Sequence, residues 1–166
     1  MSYVPTPLEL AVYQWLEPYI TGTLIYENQD APRPATTFTS MLVIDDARVG
    51  RPATQVTDTP DGVDFVGYGS TLRAVTVRVT SYGRTAYSII QRLQAQWSLP
   101  DSSYQAGLLG LSIYNITQAR RIPQILSQVT EDRWLVELQV YAVREVAAAT
   151  QALNSIDATV SLTDPS

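Results

Sequence analysis

The clearest pattern in the chain is a strict alternation of apolar and polar residues within residues 71–81. The alternation puts valines on one face of a strand and polar side chains on the other: Val75, Val77 and Val79 against Thr76, Arg78 and Thr80. After a turn at Gly83, apolar residues recur at helical spacing: Ala86, Ile89, Ile90, Leu93 and Trp97. The two patterns predict a strand followed by an amphipathic helix that covers its apolar face.

The N-terminal region predicts a second core-packing helix. Thr6 and Glu9 have the spacing of a capping box, and Pro7 suits the first helical position. An apolar stripe follows: Leu8, Val12, Trp15, Leu16 and Tyr19. Thr21 and Gly22 predict the end of this helix, and a short strand is expected over residues 23–27.

Three further segments read as strands. Residues 38–44 include apolar side chains at both odd and even positions, which is typical of a strand inside a sheet. Residues 111–117 alternate, with Leu111, Ile113 and Asn115 on one side and Ser112, Tyr114 and Ile116 on the other. Residues 133–143 present one apolar face: Trp134, Val136, Leu138, Val140 and Ala142. We expect strands 71–81 and 133–143 to be neighbours, with Arg78 and Glu137 paired on the polar face.

The remaining segments predict loops and short elements. Asp101 is expected to cap a short helix over 102–109, and residues 120–123 are expected to bend. Asp45 and Asp46 read as a solvated strand end, followed by a turn at 49–52 and a break at 67–70. Between these, Pro60-Asp61-Gly62 predicts the turn of a hairpin with legs 54–58 and 63–66.

These elements predict a single α+β domain with a mostly antiparallel sheet, two or three helices, a protruding hairpin and a C-terminal arm. The expected core spans residues 1–143. Residues 144–166 form the arm, an alanine-rich helix or linker over 145–154 and a strand over 156–162. That strand can pack on its own subunit or on the sheet edge of a neighbour, and the sequence leaves both open.

Composition excludes many kinds of catalysis. The chain has no cysteine and no histidine, and all 11 basic residues are arginine. A Ser-His-Asp triad, a cysteine nucleophile, a histidine-ligated zinc and a lysine Schiff base are therefore impossible. Carboxylate chemistry remains, and its candidates are Asp45, Asp46, Glu131 and Asp132. Because these carboxylates lack the spacing of a common site, we predict no catalytic residue, no metal and no cofactor.

Charge and hydropathy bear on partners. The formal net charge of −5 disfavours a surface that wraps DNA, but it suits a channel through which DNA slides. The N-terminal residues lack the basic and apolar regions of a signal peptide, and no apolar run has the length of a membrane helix. We therefore expect no membrane partner.

The segment from Asn28 to Pro34 is distinctive because Pro32 and Pro34 flank Arg33. Proline holds the backbone extended and donates no hydrogen bond. The segment is either an ordinary solvent loop or a stiff arm that displays Arg33 to a neighbouring subunit.

This segment, Asn28-Gln-Asp-Ala-Pro-Arg-Pro34, resembles the Asn-Gln-x-Ala-Pro-Arg-Pro signature of the phage neck or tail terminator family. The surrounding order agrees: a leading helix, an extended stretch to Ile44, a Val-Thr-Val-Arg-Val strand before Tyr82-Gly83, a helix, and a late strand near Tyr141. The resemblance extends to about residue 143 and departs from the family's pattern in the alanine-rich segment.

The resemblance implies a non-enzymatic virion protein at the junction of tail and neck. Such a protein caps the tail tube as a ring, most often of six subunits, and docks on a neck or connector protein. In contractile tails it also touches the sheath, and DNA only passes through the lumen. The resemblance places Asn28, Gln29, Pro32, Arg33 and Pro34 near a subunit interface.

Two further groups of residues complete the predicted contacts. Arg51, in the expected turn at 49–52, joins the candidate interface. The acidic side chains of the expected hairpin, Asp58, Asp61 and Asp64, are candidates for contact with the lumen or the tube. Three alternatives stay open: another connector or head-completion protein of the neck, a carboxylate- or metal-dependent hydrolase, and an adaptor that forms no ring.

Overall fold

A computed structural model describes the backbone of residues 3–29, 32–58, 65–122, 124–126 and 129–150, and the side chains of these except 52, 54–58, 65–68, 124–126, 129–130 and 145–150. Its helices are α1 (Pro7–Leu16), a 3-10 turn (Glu17–Tyr19), α2 (Ala86–Trp97) and α3 (Pro100–Leu108). Its strands are β1 (Thr23–Tyr26), β2 (Phe38–Asp58), β3 (Phe65–Tyr82), β4 (Leu111–Ile116), β5 (Arg120–Arg121), β6 (Gln124–Leu126), β7 (Val129–Glu131) and β8 (Arg133–Thr150).

Six of the strands form one sheet in the order β1-β2-β3-β8-β4, and β5 also pairs with β8. Strand β1 runs parallel to β2, whereas β4 and β5 are antiparallel to β8. Strands β6 and β7 form a small antiparallel sheet of their own. The predicted α+β class, with a mostly antiparallel sheet and up to three helices, is confirmed, as is the pairing of the strands that contain residues 71–81 and 133–143.

The chain divides into two compact units. The first comprises residues 1–51 and 71–144, and the second comprises residues 52–70 and 145–166. All three helices belong to the first unit. The described part of the second unit consists of strand residues, namely 52–58 of β2, 65–70 of β3 and 145–150 of β8.

The core of the first unit forms where α1 and α2 pack on one face of the sheet. The apolar strand residues predicted by the alternation are buried: Val75, Val77, Val79, Val136, Leu138 and Val140. Thr80, which the alternation put on the polar face, is buried as well. The helices supply Val12, Trp15, Leu16, Ile89, Ile90 and Leu93 to the same cluster. Both helical stripes are therefore confirmed. On the opposite face, Arg78 and Glu137 pair at 3.9 Å, also as predicted.

The predicted capping box opens α1. The Thr6 hydroxyl accepts from the Glu9 N–H at 3.3 Å, and the Glu9 carboxylate accepts from the Thr6 N–H at 2.8 Å and from the Tyr3 hydroxyl at 2.5 Å. Burial raises the pKa of Glu9, but the hydrogen bonds from Tyr3 and Thr6 outweigh it and the pKa is lowered.

Strands β2 and β3 are longer than predicted. Residues 45–52 were expected to form a strand end and a turn, and residues 67–70 a break, but both stretches are strand. The sequence reading was wrong here because β2 and β3 are hydrogen-bonded neighbours, and cross-strand pairing overrides weak local turn signals. Gly50 has φ 73°, a value that glycine adopts without strain.

Three smaller predictions are also corrected. Arg120 and Arg121 were expected in a bend but form β5, because they pair with Leu135 and Trp134 of β8. Helix α3 begins at Pro100, with Leu99 at the N-cap position and no side-chain cap, so Asp101 lies in its first turn. Residues 145–150, for which a helix or an arm was expected, belong to β8. Residues 151–166 lie outside the described residues.

A β-bulge changes the faces of β4. Ile113 pairs with Val140 and Asn115 with Gln139, so Tyr114 is an extra residue on β4. The predicted alternation put Leu111 and Ile116 on opposite faces, yet both are buried. The extra residue restores both to the apolar side of the sheet.

Side chains and a turn occupy the backbone groups at the β1 edge. The Glu27 N–H donates to a carbonyl of β2, so the carbonyls of Leu24 and Tyr26 point away from β2. Leu24 accepts a hydrogen bond from the Tyr13 hydroxyl at 3.2 Å, and Tyr26 accepts one from the Gln29 N–H at 3.2 Å.

The opposite edge, at β4, is occupied in the same way. The indole N–H of Trp97 donates to the Ile113 carbonyl at 3.3 Å, and the Gln94 side-chain amide donates to the Thr117 carbonyl at 2.8 Å. These bonds engage two carbonyls at each end of the sheet. Strand β1 pairs only with Phe38–Met41, so in the described residues β2 beyond Met41 has a neighbouring strand, β3, on one side alone.

The capping box predicts the effect of Thr6→Ala. Loss of the cap should lower the free energy of unfolding by about 1 kcal/mol at pH 7, measured by urea denaturation. The folded-state pKa of Glu9 is lowered, so its contribution is complete above the unfolded pKa of about 4.3 and is lost as pH falls through the folded value. The difference between wild type and Thr6→Ala should therefore shrink below about pH 4.

Thr85→Ala is the matched control, because Thr85 is the N-cap of α2 and its side chain makes no capping bond. Thr85→Ala should lower the free energy of unfolding by less than about 0.5 kcal/mol, and this difference should not change below about pH 4. Equal losses in the two variants would contradict the assigned role of the capping box.

Candidate interface site

The Pro-Arg-Pro segment lies against two stacked aromatic rings at the ends of β2 and β3. The rings of Phe38 and Tyr82 are 4.4 Å apart and inclined by 11°. Successive side chains of a strand point to opposite faces of the sheet. Phe38 is three residues from the core residue Met41, and Tyr82 is three residues from the core residue Val79, so both rings lie on the face away from α1 and α2. We name this the open face. The sequence predicted polar contacts on it, and Phe38 and Tyr82 themselves are buried there.

Arg33 is held on this face by three contacts, which together we name the Arg33 clamp. Its guanidinium carbon lies 4.9 Å from the centre of the Tyr82 ring and 5.2 Å from that of Phe38. Its Nη2 donates to the Glu131 carboxylate, 98 residues further along the chain. The guanidinium of Arg133 lies 5.0 Å from the centre of the Tyr82 ring.

Magnitudes indicate that the rings do most to hold Arg33. The Arg33 side chain is 41% exposed and that of Glu131 is 24% exposed, so their ion pair contributes roughly 0–1 kcal/mol. Each exposed cation–π contact contributes about 0.5–1 kcal/mol, and there are two. The guanidinium therefore keeps its place even if the carboxylate is removed.

A cleft of about 210 Å³ lies beside the clamp. It is lined by the residues Ile25, Tyr26, Glu27, Gln29, Arg33, Phe38, Ser40 and Tyr82. Two predicted interface residues, Gln29 and Arg33, are thus brought together. The volume is below the roughly 300–1,000 Å³ of pockets for small molecules, so the cleft suits one or two side chains of a partner.

The other predicted interface residues take varied positions. Asn28 and Pro32 are exposed, and Pro34 is half-buried. Arg51 is exposed on β2 and does not belong to the clamp. Among the acidic candidates, Asp58 is the last residue of β2, whereas Asp61 and Asp64 lie outside the described residues.

The carboxylates considered for hydrolysis are mostly engaged by arginines. Arg73 donates to Asp46, Arg33 to Glu131, and Arg121 to Asp132 at 2.5 Å. Asp45 is exposed. In the part of the chain that is described, no group of three or more acidic, histidine or cysteine side chains could hold a metal ion.

Sequence reasoning found Arg33 but missed its partners. Phe38 and Tyr82 looked like ordinary strand residues, and Glu131 was considered only as a possible acid. The local sequence holds no signal for these partners, because Tyr82 and Glu131 are distant in the chain and the sheet alone brings them to Arg33.

Gly83 fixes the backbone next to the clamp. Its φ is 100°, and its N–H donates to the Asp132 carbonyl at 2.9 Å. A Cβ at this position would lie 2.6 Å from the Thr37 hydroxyl oxygen and 3.3 Å from the Thr37 Cα. Only glycine allows the segment that follows Pro34 to approach β3 this closely.

Arginines make the main polar contacts on the open face of the sheet, and guanidinium groups bind most of the candidate acids. Such a surface is typical of a protein that assembles with others. Across the described ranges, no helix is both long and apolar enough to cross a bilayer. The chain belongs to the family described as phage neck terminator protein, which matches residues 8–165. The resemblance seen in the sequence is confirmed, and the chain is a structural component of the phage neck or tail. A search of curated proteins gives no match.

The clamp predicts unequal effects of two substitutions. Arg33→Met keeps the aliphatic stem but loses both ring contacts and the ion pair, and it should lower the free energy of unfolding by about 1–2 kcal/mol. Glu131→Gln should cost less than about 1 kcal/mol. Urea denaturation measures both, with Arg48→Met, at an exposed arginine of β2, as the control. A larger loss for Glu131→Gln than for Arg33→Met would contradict the dominance of the rings.

Gly83→Ala should lower the free energy of unfolding by about 2–4 kcal/mol, because it combines a positive φ with a clash against Thr37. Gly110→Ala is the matched control: Gly110 also has a positive φ, 72°, but a Cβ added there would meet nothing within 4 Å. It should cost about 1–2 kcal/mol. Adding Thr37→Ala to Gly83→Ala should recover part of the loss, and failure to do so would exclude the clash as its cause.

Proposed function

We propose that this chain caps the completed tail tube as a ring of copies of itself, most often six, ending tube polymerisation and joining the tail to the neck. The observation that carries the proposal is the match to the phage neck terminator family over residues 8–165. A ring multiplies weak contacts between subunits into a stable cap, because each copy is held by two neighbours.

The clamp supports a role for the Pro-Arg-Pro segment at a subunit or ring interface. Arg33 is held by two rings yet is 41% exposed, so it is ordered in advance and still accessible. An ordered group loses less entropy when it binds. The proposed interface comprises this arginine with the residues Asn28, Gln29, Pro32, Pro34 and Arg51.

The acidic residues support passage of DNA rather than binding to it. The proposed contacts with the lumen or the tube are Asp58, Asp61 and Asp64, and the chain carries a net charge of −5. Carboxylates along a channel repel phosphate groups, so DNA can pass without adhering. The proposed protein partners are the tail tube protein, a neck or connector protein and, in a contractile tail, the sheath.

The proposed role is structural and non-enzymatic, with assembly into the virion after synthesis in the host cytoplasm. The engagement of Asp46, Glu131 and Asp132 by arginines supports this, because a carboxylate paired with a guanidinium is poorly placed to bind a metal or to donate a proton.

Electron microscopy of tails assembled without this protein tests the proposal. A terminator predicts tubes of uncontrolled length, because nothing ends polymerisation. Tails of normal length that fail to join heads would instead identify a connector or head-completion protein. Replacement of Asp45, Asp46, Glu131 and Asp132 by alanine, with normal assembly, would dispose of the hydrolase alternative.

A further inference from the structure

Charge is divided unevenly between the two compact units. The first unit, residues 1–51 and 71–144, holds all 11 arginines and 10 carboxylates, a net charge of +1. The second, residues 52–70 and 145–166, holds six carboxylates and no arginine, a net charge of −6. The acidity of the chain therefore belongs to two segments, while the cations are confined to the unit with the core.

Within the first unit, arginines cluster where β3 ends and β8 begins. We name this the basic end, and its residues are Arg33, Arg84, Arg120, Arg121 and Arg133. Three carboxylates lie among them, Glu27, Glu131 and Asp132, which leaves a net charge of +2. Chain contacts hold the cluster together: the Gly83 N–H bonds to Asp132, and the Ile122 N–H bonds to the Arg133 carbonyl at 2.8 Å.

Two members of the basic end are available to a partner. Arg84 and Arg120 are exposed, and neither forms a hydrogen bond or an ion pair with another side chain in the described ranges. Tyr87, three residues after Arg84, is 44% exposed, and Ile122, two residues after Arg120, is 40% exposed. Arginine together with aromatic and aliphatic surface is typical of protein interfaces.

Within the chain, the arginines of the basic end bind carboxylates. Arg121 binds Asp132 through Nε at 3.1 Å and Nη2 at 2.5 Å, and Arg33 binds Glu131. These acids would repel the phosphates of DNA, and a net charge of +2 releases few counterions. An acidic polypeptide is therefore favoured over a nucleic acid.

The chain itself contains a segment of matching chemistry. Residues 145–166 carry three carboxylates, Glu145, Asp157 and Asp164, and no cation. Residues 145–150 belong to β8, and at about 3.3 Å per residue the 16 residues that follow can extend roughly 50 Å, which is enough to reach an adjacent subunit.

We propose that the basic end of each subunit binds the acidic segment 151–166 of the next copy, which carries Asp157 and Asp164, through arginine–carboxylate contacts. The inference rests on the proposed ring and specifies how its subunits join. The contact is heterologous, since the donor and acceptor surfaces differ, and a heterologous contact forms a ring when the rotation between neighbouring subunits closes.

Two charge-reversed variants test the proposal by complementation. The first is Arg84→Glu with Arg120→Glu, and the second is Asp157→Arg with Asp164→Arg. Each alone sets like charges against each other at every contact. In an equimolar mixture, alternating subunits restore opposite charges, as long as the acidic segment binds a neighbour and not its own chain. The full-length proteins are added to tail tubes assembled without this protein, and capped ends are counted by electron microscopy.

Each variant alone should need at least about tenfold more protein for half-maximal capping, and the mixture should return to within about threefold of wild type. The control, Arg48→Glu with Arg92→Glu, reverses two exposed arginines outside the basic end and should stay within about threefold of wild type. Urea denaturation confirms that all variants fold. The loss of capping by each variant alone should be larger at low salt, because the repulsion between like charges is screened less there.

Four outcomes would overturn the inference. The first is normal capping by Arg84→Glu with Arg120→Glu, and the second is a mixture no better than its components. The third is complementation by reversal of Asp58, Asp61 and Asp64 instead of Asp157 and Asp164. The fourth is reduced affinity of the basic-end variant for duplex DNA with capping unchanged. If wild type itself forms no ring at tube ends, the proposed function fails and the inference falls with it.

Discussion

Burial of two helical stripes on one face of β3 and β8 is the interaction on which the first unit depends. Most residues deep in that interface are aliphatic or aromatic, and side chains such as Leu16, Ile90 and Val77 are fully buried. The buried hydroxyls of Thr39 and Ser81 are hydrogen-bonded to each other at 3.2 Å. One fully buried apolar side chain contributes about 1.5–3 kcal/mol, as much as the whole Arg33 clamp. The fold therefore does not require the clamp. The clamp sets the position of one segment on a sheet that the core has already formed.

The absence of lysine gives the polar face its character. Every cation is a planar guanidinium, which stacks on rings and binds carboxylates through several donors. Arg33 uses both properties at once, and Arg121 binds a single carboxylate oxygen through two nitrogens. Lysine, with a strongly hydrated and flexible ammonium, would not replace either. The open face is consequently ordered without being apolar, a combination that suits a surface destined for partners.

The sequence predicted the elements that depend on local periodicity, and it failed where pairing between distant segments decides. Helices α1 and α2 and the apolar faces of β3 and β8 followed from spacing alone. The continuation of β2 past Asp45, the strand at Arg120 and the bulge at Tyr114 depend on neighbouring strands, which a local pattern does not contain. The same distinction holds at the candidate site. The two flanking prolines drew attention to Arg33, but its partner Glu131 is 98 residues away in the chain and could not be predicted from a local pattern.

The hydrogen bonds made by Tyr13, Gln29 and Trp97 at the edges of the sheet have a consequence for the unassembled subunit. Where its outward carbonyls are already engaged, a strand offers a poor template for a foreign backbone, so β1 and β4 are poor sites for the addition of another strand. Recognition then passes to side chains, whose charge and shape discriminate between partners in a way that the repetitive peptide backbone cannot.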